Sequence, residues 1–131
     1  MSCVIDASVL VDLLTGFLAP EALPDAAAGQ WHAPAHVDVE VLHALRGLVL
    51  GGHLSISRAR DALRDLDDLQ MQRWPLRHSL ALRALDLGST LTAYDAAYVV
   101  LAEGIDAPLI TRDGRLARGA APVSDVDVIA L

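Results

Sequence analysis

Apolar positions along the chain switch repeatedly between two periods, and each switch marks a change of element. Cys3-Val4-Ile5 is an unbroken apolar triplet, the pattern of a short strand buried on both faces. Val9, Leu10, Leu13, Leu14 and Phe17 then recur at i, i+1, i+4, i+5 and i+8, one face of a helix. Between Gly16 and Gly29, Pro20 and Pro24 bracket an Ala-rich piece that reads as a brief helix with turns. Residues 31–34 form a weak second strand, stopped by Pro34. A strong helix follows from His36 through Val37, Val41, Leu45, Leu48 and Val49, ended by Gly51-Gly52. Residues 56–69 make the next helix, with Ser55 or Ser57 as its cap.

Residues 71–76 suit a short third strand, placed at an edge by Pro75. Ser79 is expected to cap a helix running to Gly88, and Thr92 another running to Gly104. Residues 108–111 read as a fourth strand, 112–118 as a helical turn and 127–131 as a fifth strand. Strands alternating with helices in this way predict an α/β fold: one three-layer domain, 1–131, with a mostly parallel, about five-stranded central sheet flanked by helices.

Composition narrows the chemistry more than the fold. Hydrophobic residues make up 53% of the chain, yet no run approaches the roughly 18 uncharged apolar residues of a membrane span. Asp6 and Asp12 interrupt the first apolar stretch, which argues against a secretory signal, so a cytoplasmic protein without a membrane partner is expected. The single cysteine, Cys3, excludes an intramolecular disulfide framework and a Cys-based zinc site. All 10 basic residues are Arg, so Walker-A and Schiff-base lysine chemistries are excluded. A net charge of −7 argues against general coating of nucleic acid, but residues 41–83 hold seven Arg against four Asp, a local +3.

Four carboxylates interrupt otherwise apolar or turn contexts. Asp6 sits where the first strand gives way to a helix, at the edge where open parallel sheets bind ligands. An N-cap is an equally sufficient job for it. Glu40 borders the apolar face of its helix, with His36 and His43 as its polar neighbours, and fits an ordinary boundary residue as well. Asp95 stands three residues after Thr92, a capping-box spacing that does not preclude a side chain aimed at the sheet edge. Asp113 follows the fourth strand in an Asp-Gly pair that also suits a plain turn. Acids converging there would repel one another strongly without a cation. All-oxygen ligands favour Mg²⁺ or Mn²⁺ over zinc, and that combination serves metal-assisted phosphodiester hydrolysis.

The four motifs in order, Val-Ile-Asp6-Ala-Ser8-Val-Leu, Val-Glu40-Val-Leu-His-Ala-Leu, Leu-Thr-Ala-Tyr-Asp95-Ala-Ala-Tyr and Leu-Ile-Thr111-Arg-Asp113-Gly-Arg-Leu, resemble those of the PIN-domain ribonucleases. The chain is similar in particular to the toxins of bacterial VapBC toxin–antitoxin pairs, along its whole length. The resemblance implies a Mg²⁺- or Mn²⁺-dependent endoribonuclease with Asp6, Glu40, Asp95 and Asp113 as catalytic and metal-holding residues. Asp6, Asp95 and Asp113 would hold metal directly or through water, and Glu40 would complete the site and orient the attacking water. Ser8 and Thr111 would be supporting hydroxyls. It further implies an RNA substrate, a homodimer, and a tight hetero-oligomer with a cognate VapB-type antitoxin lying in an apolar groove.

Leu13, Leu14, Phe17, Leu18 and Val41 are candidates for that groove, and each is equally explicable as core. Arg112, Arg115 and Arg118 beside Asp113 are candidates for RNA contact or for a solvated face. A two-component receiver domain needs an active-site lysine, and a haloacid-dehalogenase-type phosphatase needs Asp-x-Asp where this chain has Ser8; both fail. A PIN-domain nuclease of RNA processing without an antitoxin, or a non-catalytic binding module, remains as the alternative.

Overall fold

The computed structural model describes all of residues 1–131. Five strands, β1 (Ser2–Ile5), β2 (Gln30–Pro34), β3 (Met71–Trp74), β4 (Leu109–Thr111) and β5 (Val128–Ala130), form one sheet. Its order is β3-β2-β1-β4-β5 and every pairing is parallel. The crossovers carry six helices: α1 (Ala7–Thr15), α2 (Val37–Leu50), α3 (Ile56–Asp68), α4 (His78–Asp86), α5 (Ala93–Ile105) and α6 (Gly114–Ala120). From β1 the chain builds outward to β3, then returns to the other side of β1 for β4 and β5. The strand order therefore reverses between β1 and β4, and their carboxyl ends flank the crevice where such sheets bind ligands.

Burial follows the apolar pattern. Cys3, Val4 and Ile5 are fully buried, as the unbroken triplet requires, and burial pushes the Cys3 thiol up to about 11. Helix α5 is buried continuously from Ala96 to Ala102, apolar all round because it packs on β1 and β2 beneath α4. That packing holds its first turn, which carries Asp95, over the sheet edge. No helix is long and apolar enough to cross a membrane.

Several boundaries differ from the sequence reading. Helix α1 stops at Thr15 because Gly16 turns the chain with φ of +83°, and Phe17 is left exposed. Strand β3 stops at Trp74, since Pro75 has no amide for the ladder. Helix α4 begins at His78 with Arg77 in the cap position, so Ser79 lies inside the helix and caps nothing. Helix α6 starts after Asp113, two residues later than expected, because the Asp113 side chain accepts the Arg115 amide and sets the first turn.

The proposed groove residues are also redistributed. Leu18 and Val41 are core, while Leu13 and Leu14 are half-buried. An apolar groove instead runs between α2 and α3, about 240 Å³, with Leu42, Leu45, Val49, Leu50, Ile56 and Leu63 among its walls.

Candidate active site

Asp6 is the buried centre of the carboxyl edge. It occupies the cap position of α1, but its side chain makes no cap bond to that helix. Its Oδ2 instead accepts the hydroxyls of Thr111 at 2.6 Å and Ser8 at 2.7 Å. Each hydroxyl has one proton and spends it there, so the 3.4 Å separation of Ser8 Oγ and Thr111 Oγ1 is proximity, not a further bond. Both hydroxyls then accept backbone amides from the turn after β4, Ser8 from Arg112 at 3.0 Å and Thr111 from Asp113 at 2.9 Å. The ends of β1 and β4 are thus joined through Asp6. Burial raises the Asp6 carboxyl above its ordinary value; the two hydroxyl bonds oppose this, and the nearby Glu40 charge adds to it.

Glu40 reaches the site from the first turn of α2. The buried Tyr98 of α5 donates its hydroxyl to Glu40 Oε1 at 2.7 Å. His36 Nε2 lies 3.1 Å from the same oxygen, one helical turn back, but outside hydrogen-bond alignment. Burial works to raise the Glu40 carboxyl, yet His36 and Tyr98 outweigh it and hold the group below its ordinary value. The Tyr98 phenol is correspondingly pushed far up, by burial first and by the Glu40 and Asp6 charges next.

Asp95 is placed by Thr92, whose hydroxyl accepts the Asp95 amide at 3.1 Å. The return bond that would complete a capping box is not formed. Burial raises the Asp95 carboxyl, and the charges of Asp6, Asp113 and Glu40 raise it further, in that order. The four acids therefore share one electrostatic site, and neither Asp6 nor Asp95 has an arginine or histidine within 4.0 Å. Asp113 has its Oδ1 held by the Arg115 amide at 2.9 Å, with the Arg115 guanidinium 3.7 Å away.

A common design emerges in three of the four. Asp6 is bonded by side chains at Oδ2, Glu40 at Oε1 and Asp113 by an amide at Oδ1, so each keeps its second oxygen in reserve. No three acidic, His or Cys side chains converge tightly enough to make a ready-made cage. A loose, all-oxygen set of this kind, in which Asp6 and Asp95 have no cationic side chain beside them, suits a hard cation that keeps several waters and takes the rest of its shell from substrate phosphate.

Tyr98 and His36 are the participants that motif reading did not single out. The i, i+4 spacing of His36 and Glu40 was a usable signal; the Tyr98–Glu40 bond joins residues 58 apart and was not. Among the basic candidates, Arg112 is committed to Asp12 of α1 at 2.6 Å, Arg118 folds back over Gly114, and Arg115 is largely exposed. Part of the locally positive stretch is likewise engaged internally: Arg73 grips Asp38 with two bonds, Arg83 does the same to Glu103, and Arg58 bonds the Thr15 carbonyl.

Comparison with known proteins agrees with this architecture. The family model described as PIN domain matches residues 3–122. Ribonuclease VapC12 of Mycobacterium tuberculosis is 40% identical over 128 residues, covering 97% of this chain and 98% of that protein. Among solved structures, PAE2754 from Pyrobaculum aerophilum superposes with a TM-score of 0.69 at 22% identity, over 98% of this chain and 84% of the other. A chain of VapBC2 from Rickettsia felis, crystallised with a DNA fragment from its promoter, gives a TM-score of 0.65 at 12% identity, over 98% and 97% of the two chains. Both likenesses are of fold.

Proposed function

The chain belongs to the PIN-domain family, and from that premise we propose that it is a Mg²⁺- or Mn²⁺-dependent endoribonuclease, the toxin of a type II toxin–antitoxin pair. The observation that carries the reading is the convergence of four acids from four places in the chain: the charges of Asp6, Asp113 and Glu40 all bear on Asp95, and that of Glu40 bears on Asp6. The 40% identity with a protein named as a ribonuclease supports RNA as the substrate. In this reading Asp6, Asp95 and Asp113 hold the ion and Glu40 completes its surroundings. Bound there, the ion supplies positive charge for the phosphoryl oxygens and lowers the pKa of the attacking water. Glu40 is kept ionised by Tyr98 and His36, so its Oε2 is the acceptor that orients the water for in-line attack. Water opens the phosphodiester without a covalent enzyme intermediate, and the chain needs no Cys or Ser nucleophile.

Incubating the purified protein with a mixed RNA pool tests the assignment. Cleavage is expected with Mg²⁺ or Mn²⁺, lost in EDTA and restored by excess Mg²⁺. Cleavage indifferent to EDTA would overturn it. The partner belongs to the same reading: a VapB-type antitoxin encoded beside the gene in a cytoplasmic, homodimer-based hetero-oligomer, whose addition suppresses cleavage.

Tyr98→Phe isolates the Glu40 support. Loss of the hydroxyl removes a donor that favours the charged carboxyl, so the acid limb of the pH–rate profile shifts upward. Cleavage is expected to fall about 10- to 100-fold, the usual effect of losing an outer-shell partner. An unchanged profile would remove Tyr98 from the mechanism.

A further inference from the structure

Tyr94 is out of place for structural reasons alone. It is the second residue of α5, the most buried helix of the fold, yet it is 64% exposed and stands immediately before Asp95. Its ring meets the edge of His36 with centroids 5.7 Å apart at 66°, and His36 in turn abuts Tyr98 at 5.4 Å and 79°. The ring is thereby packed against His36 beside the acidic site, while most of its surface stays exposed.

Two cavities meet at this ring. One, about 380 Å³, is lined by Val39, Glu40, His43 and Tyr94. The other, about 350 Å³, includes Pro34, His36, Leu76, Ala97 and Tyr94. Glu40 lies in the wall of the first cavity, which therefore borders one of the four carboxylates, and Asp95 follows Tyr94 directly in the chain. Val39 and Leu76, one in each cavity, are themselves exposed, so apolar surface sits beside a charged centre.

Charge supplies only part of the affinity for a polyanion here. The chain carries −7 and Arg112 is paired with Asp12, which leaves Arg115 as the exposed arginine beside Asp113. Flat aromatic faces bind single-stranded nucleic acid by a different term, base stacking, which tolerates any sequence and needs no positive charge. We infer that Tyr94 is a stacking platform for an unpaired nucleobase next to the scissile phosphate, with His36 bracing the ring and the Val39–His43 cavity receiving the base. The inference rests on the ribonuclease reading and deepens it: the base held at this point is unpaired and stacked on Tyr94 instead of on its neighbours.

The test compares the parent protein, Tyr94→Phe and Tyr94→Leu. The probes are a fluorescein-labelled single-stranded oligoribonucleotide of mixed sequence and the same backbone carrying abasic sites. Binding is read by anisotropy in Ca²⁺, and cleavage of an RNA pool is read in Mg²⁺. Tyr94→Leu is expected to weaken binding of the base-bearing strand about 10- to 100-fold and to raise KM with kcat little changed, while Tyr94→Phe retains parental values. The abasic strand should bind the parent and Tyr94→Leu alike. Because the side chain is exposed, both variants should keep the parental Tm, which separates loss of stacking from loss of fold.

Equal binding of the base-bearing strand by the parent and Tyr94→Leu overturns the platform while leaving the nuclease reading intact if the parent still cleaves. Unchanged RNA binding with weakened antitoxin binding also overturns it, and assigns the ring to a protein contact. A parent that neither binds nor cleaves RNA overturns both.

Discussion

Asp6→Asn is expected to reduce metal-dependent RNA cleavage by at least about 100-fold while raising the Tm of the metal-free protein. The activity loss follows from removing the acid that joins the ends of β1 and β4, since even outer-shell groups cost about 10- to 100-fold when lost. The stability gain follows from the sign of the pKa shift. Burial raises Asp6 above its ordinary 3.8, so the folded protein binds a proton at Asp6 more readily than the unfolded chain. Ionised Asp6 therefore opposes folding at pH above the raised value, and that opposition fades as pH falls toward 3.8. An asparagine still offers one oxygen to Ser8 and Thr111 but carries no charge to bury.

The Tm difference between variant and parent should accordingly be largest near neutrality and close as the solution is acidified toward the ordinary aspartate pKa. Glu40 runs the other way: its depressed pKa gives stability present above its unfolded value and lost as pH falls through the folded one. Comparing the two proteins at each pH cancels most of that common trend. Added Mg²⁺ should raise the Tm of the parent more than that of the variant. A variant that cleaves as the parent does, or that is less stable at pH 7, would remove Asp6 from the centre of the site.

Thr111→Val should damage both activity and stability. Thr111 is fully buried at the end of β4, and its single hydroxyl donates to Asp6 and accepts the Asp113 amide. Valine fills the same space without a polar atom, so Asp6 keeps only Ser8 as a side-chain donor. The Asp113 amide loses its acceptor, and an unsatisfied buried donor costs about 1–3 kcal/mol. Cleavage should fall about 10- to 100-fold, because the variant loosens the turn that carries Asp113 as well as the carboxyl of Asp6. Thr111→Ser retains the hydroxyl and should recover most of the activity. Urea denaturation and cleavage assays on the two variants distinguish this from a packing defect: if serine, which loses only the methyl, is as inactive as valine, the hydroxyl is not what matters.

Much of this architecture was legible in the order of residues, and the exceptions have local causes. The five strands and their alternation with helices were readable because short unbroken apolar runs differ from a 3.6-residue period and because Gly and Pro punctuate them. The misplaced start of α4 shows the limit of cap rules: Ser79 is a better capping residue than Arg77, but the turn at Pro75 directs the chain into the helix one residue before Ser79. The alternative of a side-chain cap at Asp6 gave way for a related reason. Sequence shows that a carboxylate precedes a helix, not that two hydroxyls 2 and 105 residues away compete for it and win.

What the sequence by itself determined is which residues lie at element ends, since local propensity and hydrophobic period act over a few positions. It placed Asp6 after β1, Glu40 at the border of a helix's apolar face, Asp95 in a first turn, and Asp113 after β4. Only the tertiary structure decided how those ends address one another. Strand order brings β1 beside β4, and the burial of α5 holds Asp95 and Tyr98 against the crevice. Tyr98 is then chosen to hold Glu40, while Tyr94 is left open at the rim. Protonation and hydrogen bonding depend on distances of a few ångströms between atoms distant in sequence, and no local rule carries that information.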